Sequence, residues 1–251
     1  MKNKMTDRKS HAQKPTLELS ATQDAIIHVI AYMAETRENV TGNNIYRIQG
    51  YIKKLAEQLR FHPRFTDFLN KGNTIEALVK SAPLHDIGSV GVPDRIFLKP
   101  GRLTLEEFEI MKGHTSKGLN FILNAERDIG LEIPFLKFAK EIVHSHHEKW
   151  DGSGYPEGLS GDAIPIPARL MAVADVYDAL TSRRVYKQPV SHENAVKIIL
   201  KEKGKQFDPD IATAFNEIHE EFQGIAKNFA DSEKDFNTRV EYLEQAIAEA
   251  P

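Results

Sequence analysis

The sequence predicts an all-α helical bundle with one long functional loop. Three observations carry this. Apolar residues recur at spacings of three and four, as in Ile45, Ile48, Ile52, Leu55 and Leu59, which marks one buried helical stripe. The sequence holds no apolar–polar alternation of useful length and no internal repeat. The glycines and prolines of DGSGYPEGLSGDAIP interrupt the helical pattern and demand a loop or hairpin there.

The elements follow in order. Residues 1–16 are polar and aperiodic and read as a disordered lead. A helix is predicted from about Leu17 to Arg37, and the Ile45–Leu59 stripe makes the next. The apolar segment Ile75 to Leu84 leads into HDIGSVGVPD. Beyond Pro100-Gly101, Thr104 caps a helix, with Glu107 three residues on as a capping box requires. Phe108, Met111 and Ile122 lie on its apolar side. Pro134 suits the first turn of the helix that runs toward His147. Another helix covers about Pro167 to Leu180. Ser191 opens one more, which Gly204 can close, and Asp208-Pro209 starts the next. From Phe222 onward, Ile225, Phe229, Phe236, Val240, Leu243 and Ile247 fall mostly at three and four. They predict a C-terminal amphipathic extension over 222–251, which packs on the core or pairs with a second subunit.

Bulk properties narrow the function. The chain has 251 residues, 41% hydrophobic and 27% charged, which is ordinary for a soluble globular protein. Its net charge of -3 offers no basic field for long nucleic acid, though a small anion needs only a local patch. Cysteine is absent, so disulfides and thiolate metal sites are excluded and any metal must sit on His, Asp, Glu or Asn. No apolar run approaches the roughly 20 residues of a membrane span. No apolar core follows the N-terminal charges as a signal peptide requires, so the expected address is the cytoplasm.

Four features stand out for chemistry: His85-Asp86, His114, His146-His147 and Asp175. Each alone is weak, and His11, His28, His62, His192 and His219 read as packed or surface residues. His144, three before His147 on the same helix, reads as packing or as support behind a ligand. The group is stronger than its parts. His85-Asp86 ends an apolar segment that should be buried, where an unpaired carboxylate is costly. His146-His147 end another. Asp175 lies in the apolar AVADVYDAL, with Asp178 three residues later on the same face. A buried pair of divalent metals accounts for all of these, and a His and carboxylate set without sulfur suits Fe, Mn or Zn.

These stretches resemble a known family. HDIGSVGVPDRIFLKPGRLTLEEFEIMKGH, HSHHEKWDGSGYPEGLSGDAIPIPARLMAVADVYDALTSRRVYK and FDPDIATAF are similar to the HD-GYP domain over roughly Thr22 to Phe215. The resemblance implies an HD-type helical bundle over 17–221 with a Gly/Pro-rich GYP loop. It implies that Asp86 bridges two metals, that His114, His146 and His147 complete one site, and that His85 and Asp175 serve the other. Iron or manganese would come first, zinc or nickel next. Asp178, Arg184 and Lys187 match positions that contact or orient substrate phosphates and assist catalysis, and Gly154-Tyr155-Pro156 is the loop that names the family. The glycines there also permit a tight turn, and Tyr155 also suits packing. The implied activity is hydrolysis of cyclic di-GMP, or of cyclic GMP-AMP, to the linear dinucleotide or GMP. A water bridging ions roughly 3.5–4 Å apart would be the nucleophile. Such domains are often joined to a receiver or sensor module, and none is read here, so a separate signalling partner is expected. A homodimer is compatible with the sequence.

Three positions depart from the family pattern. Asn44 stands where a ligand histidine is usual, Val40 where a third metal would need a glutamate, and Ser89 where the motif carries a lysine. An amide oxygen is a weaker donor than imidazole for a transition metal. The departures predict a weakened first metal and slower turnover, with Asn44 as a weak ligand. They also leave open a degenerate domain that senses the ligand or docks partners. A third reading, an HD hydrolase of nucleotide monophosphates, does not account for the long GYP region.

Overall fold

The computed structural model describes residues 21–35, 42–183 and 188–234. The expected lead, Val40, Arg184, Lys187 and the C-terminal segment from 235 lie outside the described residues. Within them the structure is helical, with isolated bridges Asp151–Ser160 and Lys203–Phe207 and no β-strand.

Helix α1 (21–35) buries Ile27, Ala31 and Ala34. Helix α2 (Asn43–Leu59) realises the predicted stripe: Ile45, Ile48, Ile52, Leu55 and Leu59 are all buried. Each such side chain contributes about 1.5–3 kcal/mol on leaving water. Two short helices follow, α3 (Thr66–Leu69) and α4 (Thr74–Ser81). Pro83 sits in a 3-10 turn after α4. A second 3-10 turn, Ile87–Gly91, follows Asp86. Helix α5 (Asp94–Phe97) leads to α6 (Leu105–Lys112), opened by the Thr104–Glu107 capping box.

The single helix expected beyond Thr104 is two. Gly113 ends α6 and begins α7 (His114–Ile129), so Phe108 and Ile122 do not share a face. Ile122 is buried, whereas Phe108 is 41% exposed at the mouth of the site. Helix α8 (Pro134–Ser145) has Pro134 in its first turn, as predicted. Helix α9 (Ile166–Thr181) follows the loop, Ser191 caps α10 (His192–Lys201), and Asp208 caps α11 (Pro209–Asn228). Helix α11 passes unbroken through position 222, where the extension was expected to begin, and Phe222 is fully buried.

The core lies between α2, α9, α10 and α11. Its aromatic centre is Tyr51 stacked on Phe222 at 4.5 Å, with Tyr177 edge-on to Phe222 at 5.2 Å. Aromatic pairs of this kind add about 0.5–1.5 kcal/mol beyond burial. Helices α4, α7 and α8 stack beside this core. A smaller cluster of Leu84, Ile87, Ile122, Ala139 and Val143 seats the turn that carries His85 and Asp86.

Candidate metal centre

Three backbone features converge. The turn between the two 3-10 segments carries His85 and Asp86, α7 begins at His114, and α8 ends at His146. The approach is close because of Gly88: a Cβ there would overlap the His114 carbonyl and the Gly118 backbone nitrogen. Only glycine lets the Ile87–Gly91 turn lie against α7.

Asp86, His114, His146 and His147 each offer a ligand atom, and all four atoms lie within 4.8 Å of one another. Asp86 is the hub. His114 Nε2 and His146 Nε2 face its Oδ1 at 3.4 and 3.3 Å, and His85 Nε2 faces Oδ2 at 3.3 Å. Behind the ring, Nδ1 of His85, His114 and His146 lies 3.1, 2.8 and 2.9 Å from the carbonyls of Ala82, Met111 and Ile142. A carbonyl only accepts, so each Nδ1 carries a proton and Nε2 is the ring atom turned toward Asp86. His114 Nε2 and His146 Nε2 are buried with no hydrogen-bond partner. Lone pairs gathered around a carboxylate repel unless a cation lies between them, so this donor set fits a divalent metal.

The electrostatics agree. Burial lowers His147 well below the usual imidazole range, with His146 adding to it, and burial also lowers His114. Burial would lower His85 too, but Asp86 outweighs it and raises His85 to about 10. Burial would raise the Asp86 carboxyl, yet His85 and His146 hold it well below the carboxylate range. Without a metal, a proton on His85 would balance Asp86; a bound cation would take over that balance.

Asp175 is half-buried on α9 and adds its field to His85 and Tyr155, but it is not one of the four clustered ligands. Asn44, on α2, takes an unexpected partner. Its amide donates to Asp178 Oδ2 at 2.8 Å, while its Oδ1 is buried without a hydrogen bond. Asp178 is buried and fully engaged by protein partners. Arg47 holds both its oxygens, and Ser182 donates to Oδ2 at 3.2 Å, so this carboxylate ties α9 to α2. Arg47 was missed in the sequence, although it stands on the buried face of α2 between Asn44 and Tyr51. Ser89 is buried in the 3-10 turn and brings no charge there.

The Gly/Pro-rich loop brings Tyr155 against the site. Tyr155 lies with its ring 4.9 Å from that of His147 and 6.4 Å from that of His114, and the Tyr155-Pro156 peptide is cis. Gly154 is forced, because a Cβ there would overlap the backbone of Glu148 and Lys149. Buried Glu148 accepts from the amides of Glu157 at 2.8 Å and Leu159 at 3.0 Å. His144, the ambiguous histidine, places Nε2 3.3 Å from Glu157 Oε1. At the far end, Arg169 Nη1 bridges Asp162 at 2.9 Å and Asp208 at 2.8 Å. Arg64 joins Asp162, Asp208 and Asp210, and its guanidinium lies 5.3 Å from the Trp150 ring. Arg64, Glu148 and Arg169 were also missed; the only signal was that Arg169 interrupts the apolar run of α9.

The chain matches the HD domain family over residues 28–211. It is 50% identical over 216 residues to a probable cyclic di-GMP phosphodiesterase of Vibrio cholerae, covering 86% of this chain and 49% of that protein. A cyclic di-GMP phosphodiesterase of the same organism is 48% identical over 230 residues, covering 92% and 46%. The chain thus spans about half the length of these relatives. Among solved structures, a cyclic GMP-AMP phosphodiesterase of Vibrio cholerae aligns with a TM-score of 0.54 at 16% identity. That alignment covers 86% of this chain and 52% of the other, and it supports the fold.

Proposed function

Because the chain belongs to the HD domain family and, within it, to the HD-GYP group, we propose that it hydrolyses a cyclic dinucleotide. Cyclic di-GMP is the first substrate, cyclic GMP-AMP the second, and the products are the linear dinucleotide and GMP. The observation that carries this reading is the Asp86–His114–His146–His147 cluster in a chain half identical to a probable cyclic di-GMP phosphodiesterase.

In this reading Asp86, His114, His146 and His147 would hold one metal, and His85 and Asp175, with Asp86, would hold a second, iron or manganese. Asn44 Oδ1 is the remaining oxygen donor on that side. When bound, such a pair supplies Lewis acidity and a water acidified to near neutral pH. The carbonyls of Ala82, Met111 and Ile142 fix the ring orientations, and Tyr155 closes the His147 side against bulk solvent. Gly154, Tyr155 and Pro156 shape the substrate groove. Arg184 and Lys187 meet phosphate oxygens, where Arg offers two parallel donors and Lys a point charge. The site works in the cytoplasm under a separate signalling partner.

The test is purification without oxygen, a metal count, and incubation with both cyclic dinucleotides while products are followed by chromatography. About two metals per chain, the number a two-metal phosphodiesterase needs, with product that vanishes in Asp86→Ala and His146→Ala, supports the reading. Ligand binding without product in excess manganese or iron overturns it in favour of a sensing domain.

A further inference from the structure

Resting on the reading of this site as a cyclic-dinucleotide phosphodiesterase, we propose that Lys112 binds the second phosphodiester of the substrate, the one that is not being cleaved. A cyclic dinucleotide differs from a simple diester in carrying two phosphodiesters in one ring. The clustered ligands, with the Arg184 and Lys187 contacts proposed above, account for one. The other needs a cation near the metals but outside them, and the position where the family motif carries a lysine is the buried Ser89.

Lys112 stands at that place. It is the last residue of α6, one glycine before His114, so the turn that aims His114 at Asp86 also aims Lys112. Its Nζ lies 5.1 Å from the Phe108 ring and 5.6 Å from the Tyr155 ring. Those rings meet edge to face at 6.1 Å, and Tyr155 in turn lies 4.9 Å from His147. The ammonium is therefore one aromatic ring removed from a metal ligand. Two ring faces hold a cation through their quadrupoles without using up its hydrogen-bond donors. Among the described residues its ion-pair partner is Glu109 at 2.7 Å, whose side chain is 69% exposed. An exposed pair of this kind is weak and exchanges readily for a phosphate oxygen. Phe108, left 41% exposed beside it, is explained by the same role: it is a wall for the lysine rather than a misplaced core residue.

The experiment compares cyclic di-GMP with bis(p-nitrophenyl) phosphate, a small diester with one phosphate, on the metal-loaded full chain. In Lys112→Met the ratio of kcat/KM for the dinucleotide to that for the small diester falls about tenfold, as loss of one charge-assisted hydrogen bond predicts, and the loss sits in KM. Lys112→Arg restores the ratio, and so does Ser89→Lys added to Lys112→Met. An equal loss on both substrates, or no change in the ratio, overturns the assignment while leaving the phosphodiesterase reading intact. A wild-type chain that neither binds nor cleaves the dinucleotide overturns both.

Discussion

Arg47 and Asp178 meet as a two-point ion pair between α2 and α9: Nε donates to Oδ1 at 2.6 Å and Nη2 to Oδ2 at 2.9 Å. Both side chains are only 3% exposed. Arg47 also donates to the Phe229 carbonyl at 2.9 Å, so one guanidinium joins three helical segments. Removing one partner strands a buried charge, so Arg47→Ala should lower stability by about 3–5 kcal/mol. The paired change Arg47→Met with Asp178→Leu should cost much less. Urea denaturation measures both, and a loss below about 1 kcal/mol for Arg47→Ala would show that the pair is not what binds α9 to α2.

The anchoring of the loop by Glu148 gives a second expectation. Its carboxylate receives two backbone amides, and hydrogen bonds to a charged acceptor are each worth about 1.5–3 kcal/mol. Glu148→Ala should raise amide exchange over 155–161 and lower kcat/KM about tenfold or more, since a small misplacement of Tyr155 reaches the site. Exchange measured by mass spectrometry, beside metal content, separates a loosened loop from a lost metal. Unchanged exchange at Glu157 and Leu159 would contradict the anchor.

Asn44→His should increase metal retention through dialysis, because imidazole binds a transition metal more tightly than an amide oxygen does. The gain comes against the loss of the Asn44–Asp178 hydrogen bond, so stability without metal should fall by about 0.5–1.5 kcal/mol. A rise in bound metal and rate, with a lower Tm after chelation, is the expected pattern. No rise in metal content would mean that position 44 does not face the first ion.

Outside the Asp86 cluster, Tyr177, His192 and His219 form a chain of hydrogen bonds, with Tyr177 Oη to His192 Nδ1 and His192 Nε2 to His219 Nδ1 both 2.9 Å. Burial lowers the His192 pKa and His219 adds to it; Lys227 acts in the same sense, while Glu193 and Glu220 oppose. Folding therefore favours neutral His192. Its contribution is whole above the unfolded value of about 6.5 and is lost as pH falls below it. Between pH 7.5 and 5.5 the Tm of His192→Gln should fall less than that of the wild type. Parallel curves would remove His192 from the pH response.

Local rules made much of this legible beforehand. The α2 stripe, the Thr104–Glu107 box, Pro134, Ser191 and Asp208-Pro209 each depend on neighbours within a few residues, and each acts where expected. His85-Asp86 and His146-His147 stood out because polar ligands at the ends of apolar segments need a partner, and the family resemblance added His114 to them. What escaped was pairing across long stretches of chain. Nothing near Asp178 announces Arg47, 131 residues earlier, and nothing near Asp208 announces Arg64. The break at Gly113 escaped because periodicity passes smoothly through a single glycine, whereas His114 must be aimed at Asp86.

Gly88 and Gly154, where a Cβ would overlap backbone, separate two kinds of information within one motif. Both are demanded by the approach of one stretch of chain to another, before any ion or substrate is considered. A chain with this backbone has to keep them in order to fold, whereas nothing in the backbone itself demands His147 or Lys112. The glycines are thus the signature of the architecture, and the side chains around Asp86 are choices made on top of it.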